Sequence, residues 1–270
     1  MSGFYLLLKQ FAHFYSGLHM AKKSQKKKRR LILFVSAMLS LTAGLIWYMG
    51  RPRFVHYNDF GIDIPVNYSM HGIDVSKYQS AIDWADVKQM KVKGISIKFS
   101  FIKATEGSDG VDGKFKRNWR GAKEAGIPRG AYHFFNPYKD GKSQALNFIS
   151  EVRLQKGDMP PVLDIEQTGI ASKEILQQRI AEWLSIVERQ YKTKPIIYTG
   201  ADFYEKYLAG KFDEYPLWVA HYLAKNKPRV KRNWNFWQHN ETGRVNGIDA
   251  HVDFNVFNGD SAAFQQMLIK

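Results

Sequence analysis

The sequence predicts an α/β protein in which about eight strands close into an irregular barrel, preceded by one transmembrane helix. Three observations carry this expectation. From His71 onward, short β-rich runs alternate with helical stretches. In the last third, strand-like runs follow one another without good helices between them. Residues 31–50, "LILFVSAMLSLTAGLIWYMG", contain no charge at all.

The first element is the anchor. A basic run, "KKSQKKKRR" (22–30), leads straight into the uncharged segment, which at about 1.5 Å per residue is roughly 30 Å long, one bilayer core. Trp47 and Tyr48 suit an interfacial belt, and the Lys/Arg excess on the near side places the N-terminus in the cytoplasm. Residues 1–30 are then a cytoplasmic basic segment and 31–50 the membrane anchor. Everything after Arg53 is expected outside the cytoplasm, in the periplasm or extracellular space. A cleaved signal peptide competes with this reading, but the apolar segment exceeds the usual 7 to 15 or so residues and no A-x-A-like site follows it. Met20, followed at once by the basic run, reads as a normal translation start with its n-region.

Residues 51–69 show little periodicity and read as a linker, and 70–270 as the folded domain. "GIDV" (72–75) is a strand and "AIDWADVKQM" (81–90) a helix. "ISIKFSFIKAT" (95–105) is a strand, followed by a helix near 114–125 that "AGIP" stops. "GAYHFF" (130–135) and a helix over 141–154 come next, then "PVLDIE", and a long helix over 172–190. "KPIIYT" (194–199), a short helix near 202–208 and "PLWVAHY" (216–222) follow. "WNFWQH" (234–239) and "HVDFNVF" (251–257) complete the set.

Composition narrows the function. With 270 residues, 44% of them hydrophobic, the chain can bury a sizeable core. It has no cysteine, which excludes a disulfide framework and thiol chemistry. The net charge of +15 suggests nucleic acid until it is located, because residues 1–53 hold ten of the 40 Lys and Arg and none of the 25 Asp and Glu. No nucleic-acid partner is therefore expected. The sequence fixes no oligomeric state, and a monomer is the expectation.

In a parallel barrel, functional groups sit where strands end at their C-terminal sides. There the sequence offers Asp74, Glu106, His133, Asp164 with Glu166, Tyr198, Trp218, His221, Gln238 and Asp253. Side chains two apart on a strand point the same way, so Asp164 and Glu166 both face the mouth. Clustered carboxylates raise one another's pKa, so one stays protonated as a general acid while another is ionised. Glycoside hydrolysis requires that division. Asp74 and Asp253 taken singly also suit loop capping, and Glu106 before a glycine suits a turn. His133, His221, His239 and His251 lack zinc-site spacing such as H-E-x-x-H, so no metal is expected. Tyr132, Tyr198, Trp218 and Trp237 stand where rings would stack on sugar faces.

An ordered set of segments carries a resemblance: "HGIDVSKYQ", "IDW", "FIKATEG", "AGIPRGAYHFF", "PPVLDIE", "PIIYTG", "LWVAHY" and "FWQH…GRVNGIDAHVDFNVF". Over about residues 71–260 the chain resembles glycoside hydrolase family 25, lysozymes that cut peptidoglycan as N-acetylmuramidases. The resemblance implies a flattened, irregular TIM-like (β/α) barrel, retention of anomeric configuration and no cofactor. It implies Glu166 as general acid/base, Asp164 and Asp74 as the other two active-site acids, and Asp253 as the acid of a late D-x-N motif. Tyr132, His133, Tyr198, Trp218 and Gln238 are the expected substrate-binding residues. Ser80 departs from the family pattern, where "YQG" is usual. The D-x-E spacing resembles substrate-assisted hydrolases, in which one acid orients the sugar's N-acetyl group while the next protonates the leaving oxygen. A covalent variant would use Asp74 as nucleophile. Two other functions fit the same residues: a barrel that binds peptidoglycan without cutting, and a hydrolase of another N-acetylated glycan such as chitin.

Overall fold

The computed structural model describes residues 26–48 and 54–270, apart from Ala171 and Lys225. The expected start at Met20, most of the basic segment (1–25), the last two residues of the expected anchor (49–50) and the first three of the expected linker (51–53) lie outside the described residues. The chain divides into two units at Arg51/Pro52.

In the first unit, helix α1 (Lys26–Tyr48) is 23 residues, long and apolar enough to cross a membrane. Two of its hydroxyls are returned to its own backbone: Ser36 Oγ donates to the Leu33 carbonyl at 2.9 Å and Thr42 Oγ1 to the Met38 carbonyl at 3.0 Å. An apolar medium offers them no other acceptor.

In the second unit, residues 54–65 of the stretch expected as a linker form regular structure. Strands β1 (Phe54–Tyr57) and β2 (Ile62–Pro65) form an antiparallel hairpin. Ile62 and Ile64 are buried while Asp63 between them is exposed. Phe54 meets Trp237 edge-on at 5.8 Å, and Phe60 meets Phe254 at 5.3 Å. The hairpin is too short for its period of two to stand out in the sequence, and its order comes from this packing.

Eight strands then close a barrel: β3 (His71–Val75), β5 (Ile95–Glu106), β7 (Arg129–Phe134), β8 (Val162–Asp164), β9 (Ile196–Gly200), β10 (Leu217–Ala220), β11 (Phe236–Val245) and β12 (Ile248–Phe257). The minor strands β4 (Lys91–Val92) and β6 (Gly110–Val111) pair with β5. From β3 through β11 neighbours run parallel. β12 runs antiparallel to both β11 and β3. That reversal explains why no helix separates β11 from β12, because an antiparallel pair needs only a tight turn where a parallel pair needs a crossover. The turn is Asn246–Gly247, with Gly247 at φ +83°, a conformation open to glycine.

Helices α2 (Trp84–Gln89), α3 (Phe115–Glu124), α4 (Gly141–Glu151) and α5 (Lys173–Tyr191) cover the outside. A short turn α6 (Ala201–Phe203) runs into a π-helical segment, Tyr204–Leu208. Asp83, Asp140 and Ser172 cap α2, α4 and α5.

A distinct apolar cluster fills the barrel interior, with Phe99, Phe101, Trp218 and Phe236 among its members. A final helix not foreseen from sequence, α7 (Ser261–Met267), adds Phe264, whose ring lies 5.4 Å from that of Phe99. Gly72 makes this filling possible: a Cβ there would lie 2.4 Å from the Phe99 ring.

Candidate active site

The mouth of the barrel holds a cavity of about 230 Å³ to which all eight strands contribute lining side chains. Asp74 comes from β3, Lys103 from β5, Tyr132 and Phe134 from β7, and Asp164 from β8. Tyr198 comes from β9, Trp218 from β10, Gln238 from β11 and Asp253 from β12, which makes all eight. Alternation along each strand selects these residues. Just past β8 the Ile165 N–H still donates to the Tyr198 carbonyl at 2.9 Å, so the chain stays extended and Glu166 emerges on the side of Asp164. Trp218 stacks on Phe101 at 4.1 Å and is 2% exposed, so it forms the floor. Tyr78, 75% exposed, stands at the rim.

The acids form two pairs. Asp74 and Asp253 are register partners across β3 and β12. Gln238 Nε2 donates to Asp74 Oδ2 at 2.8 Å and to Asp253 Oδ2 at 3.2 Å, and Asn255 Nδ2 donates to Asp74 Oδ2 at 2.7 Å. Gln238 is held in turn by the Tyr198 and Tyr222 hydroxyls, each 2.7 Å from its Oε1. Trp218 Nε1 donates to Asn255 Oδ1 at 2.8 Å. Each amide therefore has its orientation fixed by a ring donor, and its NH₂ faces the acids. Burial, then the charge of Asp253, pushes the Asp74 carboxyl well above its ordinary range. Burial raises Asp253 to about 6. The pair thus shares a proton near neutral pH, as close like charges must.

Asp164 and Glu166 make the second pair, and both line the cavity. Burial and the neighbouring Glu166 raise Asp164 well above the carboxylate range, with Lys103 opposing. Desolvation also raises Glu166, opposed by hydrogen bonds from Tyr198 and Asp164 and by the charge of Lys103. Asp164 Oδ1 is buried and has no partner among the described residues. An unpaired buried acceptor costs about 1–3 kcal/mol, and this one belongs to a side chain of the cavity wall.

Asp74, Asp164, Glu166, Asp253, Tyr132, Tyr198, Trp218 and Gln238 are thus brought together. His133 is not. It lies on the outward face of β7, its Nδ1 2.7 Å from Thr105 Oγ1 and its Nε2 3.2 Å from Gln144 Oε1, stacked on Trp183. Burial lowers it to about 3. Tyr132 and His133 are consecutive on one strand, so only one of them can face inward. Trp237 and His239 likewise alternate with Gln238 and lie outward, in contact with Phe54 of the hairpin. Burial lowers His239 to about 3. His221 accepts from the Arg229 backbone N–H at 3.1 Å and, like exposed His251, does not line the cavity. Glu106 is exposed and ion-paired with Lys103 at 2.8 Å.

Sequence reasoning missed Lys103, Asn255 and Tyr222. Lys103 was legible as the inward position before Glu106, and Asn255 as the second member of D-x-N. Tyr222 lies beyond β10, and no periodic signal marks it. Among the described residues no group of three or more His, Asp or Glu converges to hold a metal ion.

Comparison with known proteins agrees with this geometry. The family model described as "Glycosyl hydrolases family 25" matches residues 73–248. The protein YegX of Escherichia coli K12 is 46% identical over 226 residues, covering 84% of this chain and 82% of that protein. Lysozyme M1 of Streptomyces globisporus is 36% identical over 208 residues, covering 72% and 69%. Among solved structures, a family 25 glycosyl hydrolase from Bacillus anthracis superposes with a TM-score of 0.70 at 31% identity, covering 80% of this chain and 98% of that one. A bacterial lysozyme from Streptomyces coelicolor superposes at 0.65 and 33% identity, covering 74% and 96%. With the family model spanning most of the barrel and its strands delivering acids to one mouth, the chain belongs to glycosyl hydrolase family 25.

Proposed function

We propose that the protein is a membrane-anchored N-acetylmuramidase that cleaves the β-1,4 bond between N-acetylmuramic acid and N-acetylglucosamine in peptidoglycan, with net retention. Family membership and the lysozyme and muramidase names of relatives support the substrate class. The observation that carries the mechanism is the unpartnered Asp164 Oδ1 beside Glu166.

In this reading Asp164 Oδ1 accepts the N–H of the substrate acetamido group. The acetamido oxygen then attacks C1 from the face opposite the leaving group. Glu166 delivers its proton to the glycosidic oxygen as the C1–O bond breaks, leaving a cyclic oxazolinium ion. Glu166, now a carboxylate, takes a proton from water as that water opens the ring at C1. Two inversions give net retention. Asp74 and Asp253, sharing a proton under the amides of Gln238 and Asn255, keep the mouth from accumulating negative charge. Tyr132 and Tyr198 border the sugar, and Trp218 underlies it. The apolar helix α1 supports tethering, with the barrel on the wall side of the membrane.

The test is Glu166→Gln assayed for new reducing ends on purified peptidoglycan. Loss of about 10²–10⁴-fold in kcat is expected from removing a general acid, with the melting temperature unchanged. Wild-type turnover in that variant overturns the role of Glu166. A trapped glycosyl adduct on Asp74 overturns substrate assistance. Binding of glycan strands without release of reducing ends by the wild type overturns the enzymatic reading.

A further inference from the structure

A second cavity, of about 240 Å³, adjoins the catalytic one and shares Lys103 with it. It lies between the turn after β3, the loop joining β5 to β6, and the segment after β7. Its walls are tied down by interactions that do not involve the catalytic acids. Gly107 N–H donates to the Phe134 carbonyl at 3.1 Å, and Asn147 Nδ2 of α4 donates to the carbonyls of Gly107 and Gly110, both at 3.0 Å. Lys77 N–H donates to Asp112 Oδ2 at 2.8 Å, and Lys139 N–H to the Asn136 carbonyl at 3.2 Å. A cleft built this way is preorganised, so a ligand need not order it on binding.

Its charges are only partly matched within the protein. Lys103 is engaged by Glu106, and the Asp112 carboxylate, which also lines the cleft, accepts from the backbone N–H groups of Lys77 and Lys114. Lys77, Lys139 and Asp109 make no ion pair among the described residues, although all three line the cleft. Two ammonium groups and one carboxylate outside any ion pair complement a ligand with the opposite inventory, carboxylates together with an amine. The proposed substrate carries such a group. The lactyl ether on O3 of N-acetylmuramic acid is amide-linked to a short peptide bearing free carboxylates and, where a diamino acid is present, an amine. A muramic residue seated among the acids must project this arm beyond the catalytic cavity, and a charged cleft joined to that cavity through Lys103 is on hand to take it.

We propose that this side cleft binds the peptide arm of the muramic acid residue being cleaved, with Lys77 and Lys139 on its carboxylates and Asp109 on its amine, so that the enzyme prefers peptide-bearing glycan strands to bare ones. The proposal rests on the muramidase reading above and adds what that reading leaves open, the state of the strand that is cut.

The experiment is steady-state kinetics of the detergent-solubilised full chain on two substrates, peptide-bearing strands and the same strands stripped of peptide by an amidase. The wild type is expected to favour peptide-bearing strands by about tenfold in kcat/KM, as charge-assisted contacts of this kind allow. The double variant Lys77→Ala/Lys139→Ala is expected to bring the ratio close to one through KM, with its rate on stripped strands unchanged. Lys77→Arg/Lys139→Arg should restore the preference. A wild-type ratio near one, or a preference that survives the double alanine variant, overturns the proposal while leaving the muramidase reading in place. Cleavage of neither substrate overturns both.

Discussion

The two ends of the barrel interior are built from the same strands and do opposite things. Toward the base β5 contributes Phe99 and Phe101, β8 Val162, β10 Trp218 and β11 Phe236, all buried in one apolar cluster that α7 helps to seal. Two residues further along the inward face, β5 contributes Lys103, β8 Asp164 and β11 Gln238. These three strands thus enter the barrel apolar and leave it charged or polar. The aromatic base holds the geometry, and the mouth spends stability on desolvated acids. The two functions are separated along the axis, which makes them separable by mutation.

The largest effect on that contrast is expected from Phe99→Ala. It should destabilise the barrel by about 3–5 kcal/mol, as removal of a buried aromatic does, because its ring meets those of Phe101, Phe236 and Phe264. Chemical denaturation measures it. A loss below about 1 kcal/mol would deny the base its structural role, since that is the size of an ordinary point mutation.

Asp253→Asn tests the mouth, where the expected sign is reversed. The carboxyl of Asp253 is raised to about 6 in the fold, against about 3.9 unfolded. The folded state therefore holds its proton more tightly, and that contribution is full below about 4 and lost as pH rises through about 6. Relative to wild type the variant should gain stability between those pH values, reaching about 1–3 kcal/mol at pH 7. Denaturation midpoints across pH 4–7 read the difference. The buried histidines His71, lowered to about 4, and His133 and His239, each lowered to about 3, act with the opposite sign in both proteins. Their stability is lost as pH falls below about 6.5, so it cancels in the comparison.

Lys103→Met sharpens the role of charge within the mouth. Lys103 opposes the rise of both Asp164 and Glu166, so removing it should shift the alkaline limb of the kcat/KM profile upward. An unmoved limb would take Lys103 out of the proton's environment. The smallest effect is expected at Ser80, which sits at φ 53°, ψ −123° just past the turn beside the cavity. Glycine adopts that conformation without a Cβ clash, so Ser80→Gly should raise stability by about 1 kcal/mol and leave kinetics unchanged. The strain also gives a physical reason for the usual "YQG" at this turn.

Most of the barrel was legible because its strands are long enough, or apolar enough, to show a period. The β/α alternation and the weak helices after His221 gave the closed, irregular architecture, and the D-x-E spacing gave the mouth. The elements that escaped are those whose order comes from tertiary packing. The four-residue strands β1 and β2 are fixed by contacts with the outward faces of β11 and β12, far along the chain. Helix α7 is short, and its Phe264 has meaning only against Phe99 and Phe257. Within the site the error was one of parity. Reading His133 and Trp237 by their place near strand ends ignored the alternation that sends them outward, and applying it to β7 and β11 separates Tyr132 from His133 and Gln238 from Trp237.

The closure of the barrel by β12 on β3 couples competence to completion. Asn255 reaches Asp74 across 181 positions of chain, and Gln79 reaches the His251 carbonyl across 172. The amide cradle that governs the Asp74 proton therefore assembles only when the last strand docks beside the first. A chain that ends before β12 holds Asp74, Asp164 and Glu166 and still lacks Asp253 and Asn255, the partners that set the state of Asp74.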